Sequence, residues 1–382
     1  MERRGRKKQN KTNRNIRNLV LLAAALLIVV FLTQHRELLT IRGLTGAIGT
    51  FFGQDAISDD VDFSYDGNDK NEIAFLKGGL CVSAPDGYRY FDADGYEKTT
   101  KSISLTTPAM LSSGNRVLVY DRGGVACFLA DSSGVIGDVK PAAAIISASI
   151  NESNWFSLIT AEQGYKGVAT VYDAAMKERL RIRTNDEYLL LSCISPGKNY
   201  FLVATVGQRD GNISNKIKVY TMKGELKQEI YLGKSVPVNI AFSDRTKFSV
   251  VCDDAVRFFD VKGKDRGISS FKDGRLLSFT ISENFVTYLV RRNKVGLKYM
   301  LVTCDLSGKE LNAKQTNEEI MKLTSGPQQV AILSSEGITI YDKNLKPIDV
   351  YVSKKETRNI IMVEDGTILE LSENSGAKLK KN

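Results

Sequence analysis

One local pattern recurs seven times along the chain and limits what it can fold into. An alternating apolar run ends on Tyr90-Phe91-Asp92, Leu129-Ala130-Asp131, Val171-Tyr172-Asp173, Val219-Tyr220-Thr221, Phe258-Phe259-Asp260, Thr303-Cys304-Asp305 and Ile340-Tyr341-Asp342. Successive intervals are 39, 42, 48, 39, 45 and 37 residues. In five of the seven cases a Gly stands three places further on: Gly95, Gly134, Gly224, Gly263 and Gly308. Asp at the first position and Gly at the fourth suit a type I turn between antiparallel strands. The carboxylate accepts from the turn's backbone N–H, and Gly tolerates positive φ.

A second recurrence precedes the first. Ser195-Pro196-Gly197-Lys198-Asn199-Tyr200, Ser243-Asp244-Arg245-Thr246-Lys247-Phe248 and Ser282-Glu283-Asn284-Phe285 each join an apolar strand to one led by an aromatic residue. Asn151-Glu152-Ser153-Asn154-Trp155 is a looser copy, which places the lone Trp155 at a structural position beside Tyr200. Each unit of roughly 42 residues then holds four short strands, the unit of a β-propeller. No stretch after residue 54 reads as a helix of ten residues or more. Seven units run from Glu72 to Lys355, and a half unit follows at 359–371. The isolated strand Val61–Tyr65 is the natural partner for that half unit, because joining the two ends removes exposed edges. The expected fold is all-β, a propeller of eight blades, with seven as the alternative.

Composition separates a tail from this fold. The chain has 382 residues, 42% apolar, with a net charge of +9. Residues 1–36 carry nine Lys or Arg against Glu2, a net of +8; the other 346 carry 44 against 43, a net of +1. A nearly neutral body argues against a nucleic-acid surface. Leu19–Leu32 is an unbroken apolar run, and no small-x-small cleavage pattern follows it closely. The reading is a basic cytoplasmic tail (1–18), a transmembrane helix (19–34) preceding the propeller, a juxtamembrane connector (35–60), the propeller (61–376) and a basic C-terminal tail (377–382). Basic residues before the span keep the N-terminus in the cytoplasm, which makes the propeller extracytoplasmic on a single-pass cell-membrane protein. The aspartates at 55, 59, 60, 62, 66 and 69 invite a calcium reading. No window carries the loop with Gly at its sixth position, so turn chemistry explains them better.

The Ser-Pro-Gly-Lys-Asn-Tyr turn and the Val-Tyr-Asp strand end resemble those of YVTN, quinoprotein-like and WD40-like propellers. The whole layout resembles an uncharacterised family of single-pass membrane proteins of Gram-positive bacteria that carry an external propeller. That resemblance implies a fold and a location but no activity. The Gly-His and Trp-Asp pairs of WD40 repeats are absent, as is the recurring Trp of quinoprotein docking.

Chemistry is sparse. His35 is the only histidine and abuts the apolar run, so imidazole-based triads and zinc sites have no donor in the propeller. Cys81, Cys127, Cys193, Cys252 and Cys304 are widely spaced in apolar strands and read as buried thiols. Gly233-Lys234-Ser235 lacks the upstream Gly of a phosphate loop. Acidic pairs from different blades would leave no local pattern; the repeated turn aspartates are scaffold. No cofactor is expected.

The reading of function is therefore an interaction module, not an enzyme, with a protein or an anionic envelope polymer as partner. An extracytoplasmic enzyme on a glycan or small ester, or a scaffold subunit of a membrane complex, stands as the alternative. Loops after the second and fourth strands of a blade share one face, and three of them are enlarged: Ala161–Gly167, Gly207–Asn215 and Arg291–Lys298. They supply the candidate partner-binding residues Tyr165, Lys166, Arg209, Asp210, Arg291, Arg292, Lys294 and Lys298.

Overall fold

The computed structural model describes residues 62–379 apart from 210, 273, 293–297, 355 and 364. The tail, the span at 19–34 and the connector at 35–60 lie outside the described residues. Among the described residues no helix is long and apolar enough to cross a membrane.

Eight four-stranded antiparallel sheets make up the fold. Seven are continuous in sequence: blade 1 (72–102), blade 2 (108–138), blade 3 (145–184), blade 4 (188–233), blade 5 (237–270), blade 6 (274–316) and blade 7 (320–351). Within each, chain order is spatial order, and we letter the strands A to D. The A strands of blades 1 to 5 and of blades 6 to 8 touch their neighbours in turn, so A is innermost and lines a central channel. Blade 8 takes strands A to C from Asn359–Met362, Ile368–Leu371 and Ser375–Lys378, and strand D from Asp62–Ser64.

That composite blade closes the ring. Asp62, Phe63 and Ser64 pair antiparallel with Ala377, Gly376 and Ser375. Phe63 is fully buried. Tyr65 follows it, and its hydroxyl donates to the carbonyls of Ser372 and Ser375 at 3.0 and 2.9 Å. The eight-bladed reading therefore holds, with the closing strand trimmed to three residues. The strand Ser375–Lys378 crosses the 376/377 boundary at which the sequence reading ended the propeller.

The core follows the ring. Among the described residues it divides into eight clusters, each lying between successive blades. One joins Phe63, Tyr65 and Leu369 of the closing region to Leu80, Val82 and Phe91 of blade 1. Strands B and C carry the longest buried runs, such as Phe156–Thr160 and Gly167–Tyr172, because both of their faces meet neighbouring blades.

The repeated turns are built as their residue types require. Asp92 Oδ1 accepts from Asp94 and Tyr96 N–H, both at 3.0 Å, while Gly95 N–H returns to the Asp92 carbonyl at 2.9 Å. Asp173, Asp260, Asp305 and Asp342 repeat this arrangement, and Thr221 copies it with its hydroxyl. The third residue after the Asp has positive φ in each, so Met176 (62°) and Leu345 (57°) occupy a conformation that Gly fills elsewhere. Both keep compensating contacts: Leu345 is buried in the blade 6–7 cluster and Met176 packs on the blade 2–3 cluster. Blade 2 departs from the pattern. Asp131 pairs directly with Gly134, which shortens the loop to two residues and replaces the expected type I turn.

The five thiols are free, and four are buried while Cys193 is half-buried. Burial pushes Cys81, Cys127, Cys252 and Cys304 up to about 12, and Cys193 to about 11. Neutral thiols packed in this way are poor nucleophiles.

Candidate interaction face

Strand alternation gives the propeller two unlike faces. The A–B and C–D turns emerge on one, here called lower. The B–C hairpins and the D–A links emerge on the other, the upper face. The lower turns are short, and their polar side chains cap their own backbone. Asn151 Oδ1 accepts from Ser153 and Trp155 N–H as Ser195 Oγ accepts from Asn199 and Tyr200 N–H. Trp155 thus sits where Tyr200 does, half-buried at the turn exit, while Phe156 and Phe201 fill the core behind them.

The described candidate residues lie on upper B–C hairpins, in two separate groups. In blade 3, Tyr165 is exposed with the Arg183 guanidinium 5.6 Å from its ring centre. Lys166 is already engaged: Nζ donates to the Asp186 carbonyl at 3.0 Å and stands over the Tyr188 ring. In blade 4, strands B and C extend over Tyr200–Arg209 and Asn212–Thr221. Arg209 pairs with Asn212 at the hairpin end; Asp210 and Lys294 lie outside the described residues. In blade 6, Arg291 and Arg292 pair with Tyr299 and Lys298.

Blade 6 also holds what the sequence reading missed. Arg275, on strand A, lies directly across the ladder from Arg291, and Arg292 lies across from Gly274. Like charges in directly opposed positions repel. Among the described residues no carboxylate forms an ion pair with Arg275, Arg291 or Arg292, and Arg292 Nε is buried without a hydrogen-bond partner. Blade 4 shows the contrast. There Glu187, almost fully buried, meets Lys216 Nζ at 2.5 Å and Lys218 Nζ at 2.8 Å, with Glu229 completing the cluster. Burial alone would raise the Glu187 carboxyl, but the two ammonium groups outweigh it and hold it below the usual range. Blade 4 neutralises its charge internally; among the described residues of blade 6 no carboxylate does the same.

A second feature surrounds the upper channel mouth. The A–B ladder skips one residue near the start of strand A in blades 3 to 7. The skipped residues are Ile146, Leu190, Val238, Leu277 and Met321, and all five are apolar. Ile146, Val238, Leu277 and Met321 remain 36, 42, 42 and 48% exposed. A β-bulge re-aims a side chain and frees it from the ladder. Because A is the innermost strand, these residues form an arc at the channel mouth. Blades 1, 2 and 8 have an unbroken A–B register and begin strand A with Glu72, Pro108 and Asn359. Burial raises the Glu72 carboxyl, opposed by Arg122 and Lys322 nearby.

Towards the lower face the channel widens into a cavity of about 520 Å3 lined by strand A residues of blades 2 to 6. Its lining is mostly Ser, Ala, Asn, Leu and Ile, with Glu152 as its one carboxylate. Hydroxyls stitch the blades together beside it: Ser149 to Ser157 to Ser192, and Thr280 to Ser325, at 2.7–2.8 Å. No group of three His, Cys, Asp or Glu residues occurs among the described residues in a metal-holding arrangement.

Comparison with solved structures returns propellers. The C-terminal WD40 domain of Sif2 superposes with a TM-score of 0.59 at 12% identity, covering 86% of this chain and 99% of that one. The Dos1 propeller gives 0.59 at 10%, covering 83% and 93%. BamB from Moraxella catarrhalis gives 0.55 at 11%, covering 84% and 98%. At such identities the likeness is one of fold. No curated protein matches the chain by sequence. Residues 54–375, which span the ring up to the last strand of blade 8, match the model of a family of unknown function, DUF5711, and the chain belongs to that family.

Proposed function

We propose that the chain is a membrane-anchored interaction module whose propeller stands outside the cytoplasm and binds a protein partner with its upper face. The observation that carries this reading is the directly opposed pair Arg275 and Arg291, with no ion-paired carboxylate among the described residues, set beside Arg292 on the face whose loops vary from blade to blade. Unpaired charge opposed to like charge costs stability, and a partner's carboxylates relieve that cost. The basic N-terminal tail before Leu19–Leu32 supports the anchor and its orientation. The cavity's single carboxylate offers no acid–base pair for glycan chemistry.

Two experiments test it. A reporter active only in the cytoplasm, fused after Asn382, should stay silent; a strong signal reverses the orientation. Replacing Arg291 and Arg292 with Ser should reduce capture of envelope proteins by crosslinking without lowering the unfolding midpoint. Unchanged capture moves the function elsewhere. A scaffold role draws on one observation of its own: Ile348, Val350 and Val352 are 45, 71 and 81% exposed on the rim at blade 7.

A further inference from the structure

We infer that the upper channel mouth is a receptor for an acidic segment of a partner protein that inserts apolar side chains against the arc Ile146–Leu190–Val238–Leu277–Met321. The inference rests on the reading of the upper face as the binding face and names what that face recognises. Five consecutive blades place an apolar residue at the same skipped position. Repetition at one register is a built feature rather than scattered exposure, since single exposed apolar residues are ordinary and a contiguous set is not.

Charge selects the sign of the ligand. Leu277 stands two residues from Arg275, which faces Arg291 across the ladder. Met321 is followed by the exposed Lys322, and Val238 follows the exposed Lys234 by four residues. A ligand that fills the arc therefore meets cations at its blade 5 and blade 6 edge, while at blade 7 Lys322 also lies near Glu72. A polyanion without apolar groups answers the arginines and leaves the arc wet. A bilayer answers both chemistries but is too flat. The hairpin of blade 4 runs on past the first residue of its strand A: Tyr188 pairs with Val206, and Gly207, Gln208 and Arg209 continue beyond it. Three residues of strand project about 10 Å. The arc is recessed behind that hairpin, where a peptide reaches and a membrane surface does not.

The test uses the full chain in lipid nanodiscs and a fluorescein-labelled twelve-residue peptide of alternating Leu and Glu, with anisotropy as the readout. The peptide should bind with an affinity that falls as salt rises. Val238→Ser with Leu277→Ser should weaken it by about tenfold or more, as loss of two apolar anchors does, with an unchanged unfolding midpoint. Arg291→Ser with Arg292→Ser should weaken it too and flatten the salt dependence. No binding at about 1 mM peptide overturns the inference. Equal binding by a Ser–Glu peptide overturns it in favour of a polyanion. Binding to anionic vesicles that needs Leu277 overturns it in favour of a lipid surface, and self-association lost in Val238→Ser with Leu277→Ser favours a second copy. If only the arginine variant matters, the upper face stands and the apolar arc falls. If neither variant matters, both readings fall.

Discussion

The lower and upper faces are made by the same eight sheets, yet they use polar residues in opposite ways. On the lower face Asp92, Asn151, Asp173, Ser195, Thr221, Asp260, Asp305 and Asp342 each accept from two backbone N–H groups of their own turn, two to five positions on. Those side chains are consumed by folding. On the upper face Arg275 and Arg291 oppose one another with no ion-paired carboxylate among the described residues, and apolar residues are skipped by the ladder. The lower face spends its polar side chains on aligning strands, and the proposed recognition falls on the face that does not. Recurrence marks scaffold in the turns, where the residue satisfies its neighbours. In the bulges the recurring residue is apolar and skipped by the ladder, and four of the five side chains stay 36–48% exposed.

The largest effect should come from breaking the ring on which both faces depend. Phe63→Ala removes a fully buried side chain from the closing strand and should cost about 3–5 kcal/mol. In a denaturant titration the midpoint should fall sharply; an unchanged midpoint means that the strand does not close the ring. Next, on the lower face, Gly308→Ala should cost about 1–3 kcal/mol. Gly308 has φ of 79°, and an added Cβ would lie 2.6 Å from the Ile268 backbone nitrogen. Thermal unfolding reads that loss.

Acid should act on the turns of the lower face. Burial opposes the charge of Asp244, but hydrogen bonds from Thr246 and Lys247 N–H and the Lys247 ammonium outweigh it and lower its carboxyl to about 2. Asp173 and Asp305 are lowered in the same way. Because the native values lie below the unfolded ones, this stabilisation is complete above about pH 4 and is lost as pH falls towards 2. Asp244→Asn should flatten the pH dependence of the unfolding midpoint in that window; an unaltered slope contradicts the capping role. The smallest effect belongs to the upper face and has the opposite sign. Arg291→Ser relieves its repulsion with Arg275 and should leave stability unchanged or raise it by up to about 1 kcal/mol. A clear drop in midpoint would show that Arg291 belongs to the scaffold.

What was legible in the sequence follows the same division. The turns could be read because their chemistry is local: Asp92 and the N–H groups that donate to it lie within four residues of one another. The closing strand could be read because a half unit at one end and an isolated strand at the other needed partners. Its mate Ser375–Lys378 could not, since Ser-Gly-Ala-Lys has no apolar alternation. Gly376 is there for space: an added Cβ would lie 2.7 Å from Leu371 Cδ2. The arc left a signal that passed unread. Ile145-Ile146, Leu189-Leu190, Leu276-Leu277 and Ile320-Met321 each break the period of two with adjacent apolar residues, as a bulge requires. The arginine cluster left none, because the pairing of Arg275 with Arg291 is set by register and not by sequence distance. Lys166 shows the converse. It reads as a free loop cation and is held by Asp186 and Tyr188.

The claim that the upper face does the binding is tested most directly by placing a photo-crosslinking amino acid at Leu277 in one protein and at Lys262, in the lower turn of the neighbouring blade, in another. After irradiation in the native envelope, the account predicts a discrete protein adduct at 277 and none at 262. An adduct at 262 with none at 277 would contradict it.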